Sequence, residues 1–130
     1  MKILALRTDK PEAELYIYDD YKELARIKWP AHRQLAETLN AKIEEILNKS
    51  SISYDELGGL AVYKGPGSFT GLRIGLSVAN ALAYGLELPI AAASGSDWQK
   101  RAIKKILNGQ TDQIALPNYG APPHITRPKK

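Results

Sequence analysis

The sequence predicts one mixed α/β domain: a sheet that begins as antiparallel strands, continues with parallel ones, and is flanked by helices. Three observations predict it. Short apolar runs of strand character occur near residues 3–6, 15–17, 24–28, 60–63 and 88–93. A helical stripe lies between the third and fourth of these runs, and a glycine-rich turn joins the fourth directly to a second helical pattern. At 130 residues and 44% hydrophobic composition, the chain has room for one core and not for a second full domain.

Ile3 to Leu6 form a nearly continuous apolar run, as expected of a strand buried on both faces, and Arg7-Thr8-Asp9-Lys10-Pro11 ends it. Leu15 and Ile17, then Leu24, Arg26 and Lys28, suggest two more strands with Asp19-Asp20 supplying the turn. From Arg33 to Asn48, the residues Leu35, Leu39, Ile43, Ile46 and Leu47 follow the stripe of an amphipathic helix. Leu60 to Tyr63 read as a buried strand, followed by Gly65-Pro66-Gly67 and a helix over about 70–84. Gly71, Gly75, Ala79 and Ala83 recur every fourth residue along that helix, a face that permits close contact with another helix. Leu88 to Ala93 give a short strand, and Asp97 to Leu107 a basic helix ended by Gly109. The domain is expected to span residues 1–110. Residues 111–130 form an extended, proline-rich, basic tail, in which four prolines after residue 116 exclude a regular helix.

Charge is unevenly divided. Residues 1–96 carry 11 Lys/Arg against 12 Asp/Glu, and residues 97–130 carry 7 against 2, so the surplus is C-terminal. Such an end can attract phosphates by releasing counterions, or remain solvated or bound to a partner. No apolar stretch approaches the length of a membrane-spanning helix and no cleavage site follows Met1, so a cytoplasmic protein without membrane contact is expected. The absence of cysteine removes disulfides, thiolate nucleophiles and thiolate metal ligands. The two histidines, His32 and His124, have neither the spacing of a metal pair nor the context of a triad, and a peptidase finds no support. Asp19-Asp20 read as a turn and Glu44-Glu45 as a solvated helix face, so no catalytic residue and no metal ligand is assigned.

The most specific segment is Gly65-Pro66-Gly67-Ser68-Phe69-Thr70-Gly71-Leu72-Arg73-Ile74-Gly75. It lacks the glycine spacing of a dinucleotide loop and the Gly-Lys-Ser/Thr of a Walker loop. Its residues suit a tight turn, a helix cap at Ser68 or Thr70, and close packing through glycine; a helix start of this kind can also hold an anion.

As a whole, the segment resembles the signature of the TsaB (YeaZ-like) family of tRNA threonylcarbamoyladenosine biosynthesis. The likeness extends to Met1-Lys2-Ile3-Leu4-Ala5-Leu6, to His32 at the first helix, and to Gly85-Leu86-Glu87-Leu88-Pro89, covering about residues 1–96. It implies a single half-domain of the actin-like/Hsp70-type (ASKHA) superfamily, with three antiparallel N-terminal strands plus parallel ones. It also implies a non-catalytic scaffold or activator that pairs with TsaD, and with the ATPase TsaE as a further partner. On that reading the chain alone binds no cofactor, ATP and metal belong to partner subunits, and a homodimer can form in isolation. The resemblance maps the partner contact onto Leu35, Leu39 and Ile43, and onto Gly65, Pro66, Gly67, Ser68, Phe69, Thr70, Gly71, Arg73, Gly75 and Ala79.

Two departures stand out. Arg7-Thr8-Asp9 replaces the usual Asp-Thr-Ser, putting a cation where superfamily ATPases hold a metal–nucleotide complex; a local pair with Asp9 is the simpler role for Arg7. The second domain is also missing, as in a natural short form. A small nucleotide-dependent phosphotransferase or ATPase assembled as a homodimer is the competing reading. The tail is expected to dock through Tyr119 and Ile125, with Arg127, Lys129 and Lys130 giving weak or indirect tRNA contact.

Overall fold

The structure, a computed structural model, describes residues 1–112 and 115–117, and of His32 the backbone only. Strands β1 (Lys2–Arg7), β2 (Glu12–Asp19) and β3 (Lys22–Pro30) come first, and a 3₁₀ turn at His32–Gln34 leads into helix α1 (Leu35–Lys49). A second 3₁₀ turn, Tyr54–Glu56, precedes β4 (Leu57–Tyr63); α2 (Phe69–Leu86), β5 (Ile90–Ala93) and α3 (Trp98–Leu107) complete the order. The sheet runs β3-β2-β1-β4-β5. β1 pairs antiparallel with β2 and β2 with β3, whereas β4 is parallel to β1 and β5 to β4. Three antiparallel N-terminal strands plus two parallel additions make the mixed sheet that the sequence predicts.

Register decides which residues meet which helix. Leu4 and Leu6 of β1 lie opposite Ile17 and Leu15 of β2 and beside Leu60 and Val62 of β4, so these six share the face covered by α1 and α2. Ile3, Ala5, Tyr16, Tyr18, Ala61 and Tyr63 share the opposite face, where α3 packs. Both faces are covered around β1 and β4, which is why those strands read as unbroken apolar runs. Trp98, buried at the start of α3, stands edge-on to Tyr16 and Tyr63 with centroids 6.2 and 5.9 Å away.

β3 is an edge strand with one buried face. That face holds Ala25, Ile27 and Trp29, opposite Ile17, Leu15 and Ala13, whereas Leu24, Arg26 and Lys28, whose alternation suggests the strand, are exposed. A register shift between Ile17 and Tyr18 disrupts the alternation near the turn. The indole of Trp29 donates to Thr38 Oγ1 of α1 at 3.0 Å, tying the edge strand to the helix.

The other edge is closed by the segment after α3. Asp112 N–H donates to the Ile90 carbonyl (2.8 Å), Asp112 Oδ2 accepts from Ala92 N–H (2.9 Å), and Lys105 Nζ donates to the Ala92 carbonyl (2.9 Å). The Asn80 amide then clasps Ala115 through both its N–H and its carbonyl, at 2.8 and 3.0 Å. Residues just beyond 110 are thus packed on the body, and Tyr119 and Ile125 lie outside the described residues. Among the described residues no helix is long and apolar enough to cross a membrane.

Trp98→Ala should lower stability by about 3–5 kcal/mol, the usual cost of emptying a buried aromatic site. Chemical denaturation would show it as a lower midpoint with an unchanged slope.

Candidate functional site: the glycine loop and the end of β1

Three loops meet at the C-terminal ends of the parallel strands: residues 8–11 after β1, 64–68 after β4, and 94–97 after β5. The first two are locked together. Ser68 N–H donates to the Asp9 carbonyl at 3.3 Å, and the Tyr63 hydroxyl donates to the Pro66 carbonyl at 2.7 Å. Ser68 is also the N-cap of α2, its Oγ accepting from Gly71 N–H.

The glycines of the loop make way for the end of β1. A Cβ at Gly71 would collide with the Thr8 carbonyl, one at Gly75 with Thr8 Oγ1, and one at Gly67 with the Asp9 side chain. Thr8 completes the contact by donating from Oγ1 to the Gly71 carbonyl at 2.8 Å. The small-residue spacing therefore does permit close approach, but what approaches at Gly71 and Gly75 is β1 and not a second helix.

Arg7 makes a bidentate pair with Asp9, Nε to Oδ1 at 2.7 Å and Nη2 to Oδ2 at 3.3 Å, while its guanidinium lies 3.9 Å from the Tyr63 ring centroid. Burial alone would ease the proton off Arg7, but the hydrogen bond and charge of Asp9 outweigh it and hold the pKa above the ordinary value. The local pair expected from the sequence is present, and it is largely buried and clamped by an aromatic ring.

Next along, Glu14 is buried, with its carboxylate accepting from Lys10 Nζ (2.8 Å) and from the Tyr16 hydroxyl (2.6 Å). Burial by itself would raise its pKa; the hydrogen bonds from Lys10 and Tyr16 and the charges of Lys10 and Lys28 overcome this and set it below the ordinary value. Burial and the Glu14 hydrogen bond push the Tyr16 phenol well above its usual range.

Of the residues predicted to meet a partner, Leu35, Leu39, Ile43, Gly75 and Ala79 are buried inside this chain. The side chains of Leu35, Leu39, Ile43 and Ala79 fill the space between the helices and their own sheet and Gly75 receives Thr8, so the five stand corrected as core residues. Gly65 is buried as well and Gly71 is half-buried, whereas Pro66, Gly67, Ser68, Phe69, Thr70 and Arg73 are exposed. Two grooves flank the exposed set. One of ≈ 400 Å³ lies between Thr8–Pro11 and the start of α2, with Arg33 on its rim. The other, ≈ 380 Å³, runs between Ala36 of α1 and Thr70, Arg73, Ile74, Ser77 and Val78 of α2. Ile74 and Val78 were missed because the helical pattern marks them only as apolar; their half-exposure follows from α1 covering one flank of α2. Among the described residues no group of three His, Asp or Glu is placed to hold a metal ion.

The family model described as TsaD: tRNA N6-adenosine threonylcarbamoyltransferase matches residues 30–99, more than half of the chain. The chain belongs to the TsaD family, as a TsaB/YeaZ-like member. It is 31% identical to the tRNA threonylcarbamoyladenosine biosynthesis protein TsaB of Escherichia coli (strain K12), over 82% of this chain and 48% of that protein. It is 35% identical to the tRNA N6-adenosine threonylcarbamoyltransferase of Geotalea daltonii, over 73% of this chain and 28% of that protein. The solved structure of YeaZ from Pseudomonas aeruginosa superposes with a TM-score of 0.67 at 26% identity, covering 72% of this chain and 43% of that one. The chain thus spans about half the length of its TsaB relatives or less, and the matched residues 30–99 include the glycine loop.

Two outcomes test this geometry. Gly75→Ala should cost about 1–3 kcal/mol by overpacking, and Thr8→Ala should recover part of it in the double variant, because the atoms that collide belong to the threonine side chain. Melting temperatures of the four proteins measure that coupling. Glu14 ionises more readily in the folded chain, so its contribution is complete above the ordinary carboxylate pKa and is lost as pH falls through the lowered value. Glu14→Gln should therefore melt below the parent at neutral pH, with the gap closing as acid protonates Glu14 in the parent.

Proposed function

We infer that the chain is a non-catalytic partner subunit in tRNA N6-threonylcarbamoyladenosine modification, pairing with TsaD through the outer faces of α1 and α2. The observation that carries the reading is the half-exposed apolar groove of Ala36, Ile74 and Val78 between α1 and α2; α2 also exposes Phe69 (53%) and Tyr84 (89%) outside it. Isolated apolar residues on a surface are ordinary; an apolar groove between two helices, on a helix that exposes two further aromatic rings, is the pattern of a contact face.

Relatedness to both TsaB and TsaD proteins, over 82% and 73% of the chain, supports the choice of partner. Two chains sharing a half-domain can present equivalent helices to each other about a pseudo-twofold axis, and a homodimer in isolation would use the same face. The pairing of Arg7 with Asp9 supports a non-catalytic role, since it sets a cation beside the glycine loop and engages the neighbouring carboxylate. ATP and metal are then bound by partner subunits, TsaD and TsaE. The competing reading, a homodimeric nucleotide-dependent enzyme, draws on the groove beside the N-terminus of α2.

Co-expression of the tagged chain with TsaD from the same organism should give a stoichiometric complex in size-exclusion chromatography. Val78→Arg should abolish it and leave the melting temperature within about 2 °C, because the side chain is already half-exposed. Repeated failure to recover TsaD, or a complex unaffected by Val78→Arg, would overturn the reading. Magnesium-dependent ATP turnover by the isolated chain would favour the enzyme instead.

A further inference from the structure

The three helices differ sharply in charge. α1 carries Lys42 and Lys49 against Glu37, Glu44 and Glu45, and α2 carries Arg73 alone. α3 carries Lys100, Arg101, Lys104 and Lys105 without an acid. Lys105 is engaged with the Ala92 carbonyl and Arg101 with Asp97 at its own N-cap. Lys100 and Lys104 are exposed and form no ion pair with any described residue. They sit one turn apart on the outer side of the helix.

The same side of the sheet carries more positive charge. Lys28 and Arg26 of β3 lie opposite Glu14 and Tyr16, point to the face on which α3 packs and are exposed; Arg26 is paired with Glu23 at 2.7 and 2.9 Å, so Lys28 is the cation β3 adds. Between α3 and the β2–β3 turn runs a groove of ≈ 230 Å³ lined by Tyr18, Tyr21, Gln99, Lys100, Ile103 and Asp97, the last paired with Arg101. Tyr21 is 50% exposed and shares this groove with Lys100, while the neighbouring acids Asp19, Asp20 and Glu23 are paired with the N-terminus, Lys2 and Arg26.

Cations on one face, flanking an accessible aromatic side chain, match the two requirements of single-stranded nucleic acid: phosphate neutralisation and a platform for an unpaired base. We propose that the α3 side of the sheet binds RNA, with Lys100 and Lys104 on backbone phosphates and a loop base stacked on Tyr21. This surface lies across the sheet from the α1/α2 face, so the two can be occupied together. The proposal rests on charge and exposure and does not require the partner reading above.

The test is fluorescence anisotropy of labelled, unfractionated bacterial tRNA titrated with the full chain at several salt concentrations. Lys100→Glu/Lys104→Glu should weaken binding at least tenfold in 50 mM salt. It should also flatten the dependence of log affinity on log salt by about 1.5, from roughly 0.7–0.9 per phosphate contact. Tyr21→Ala should weaken binding to a single-stranded oligonucleotide about fivefold or more, on the scale of one lost base stack, and leave a duplex of equal length unaffected. Lys42→Glu/Lys49→Glu, on α1, should change neither. Unchanged affinity in the α3 variant with intact circular dichroism would overturn the proposal. So would loss of binding confined to Arg127→Ala/Lys129→Ala/Lys130→Ala, or displacement of the tRNA by polyglutamate at equal charge concentration.

Discussion

Thr8 sits where the sheet, the glycine loop and α2 must all fit within one side chain's width. Its carbonyl and hydroxyl occupy the space that side chains at positions 71 and 75 would need, and its hydroxyl bonds the Gly71 carbonyl. Close-packed interiors do not stretch to absorb a misplaced methyl group. The close approach of Thr8 therefore fixes the seat of α2, and with it Ser68 at the cap and the groove that α2 shares with α1. Asp9, held by Arg7 and contacting the loop at Ser68 and Gly67, extends that lock by one residue.

The lock also bears on chemistry. A carboxylate bonded twice by a guanidinium is poorly available to a divalent cation, since binding would have to break both hydrogen bonds and bring a metal close to a positive charge. What the loop offers instead is shape. It anchors a helix whose inner side is consumed by its own sheet and whose outer side stays partly bare. The opposite side of the sheet follows another logic, with aromatic packing at its centre and uncompensated charge around it.

Much of the fold was legible because burial imposes a period. The stripe of α1 and the doubly buried strands announce themselves within a dozen residues, and the loop from Gly65 to Gly75 announces itself by composition. The buried face of β3 was not legible: Leu24, Arg26 and Lys28 alternate as well as Ala25, Ile27 and Trp29 do, and pairing with β2 made the choice. At the site, the pairing of Arg7 with Asp9 could be anticipated, being local. Thr8 could not be identified as the reason for Gly71 and Gly75, because the contact spans 63 residues. For the same reason Leu39, Ile43 and Ala79 read equally well as interface or core until the sheet was placed beneath them.

The capping of β5 gives the sheet a direction of growth. Asp112 and Lys105 occupy the outward-facing hydrogen-bonding groups of Ile90 and Ala92, so a sixth strand could join there only by evicting them. The β3 side carries no such plug among the described residues; Lys49 Nζ alone reaches its backbone, at the Arg26 carbonyl, and Pro30 removes one donor. Lateral extension of this sheet, by a neighbouring chain or by an added segment, is thereby steered to one margin, and a fusion or insertion that must leave the sheet unextended belongs at the other.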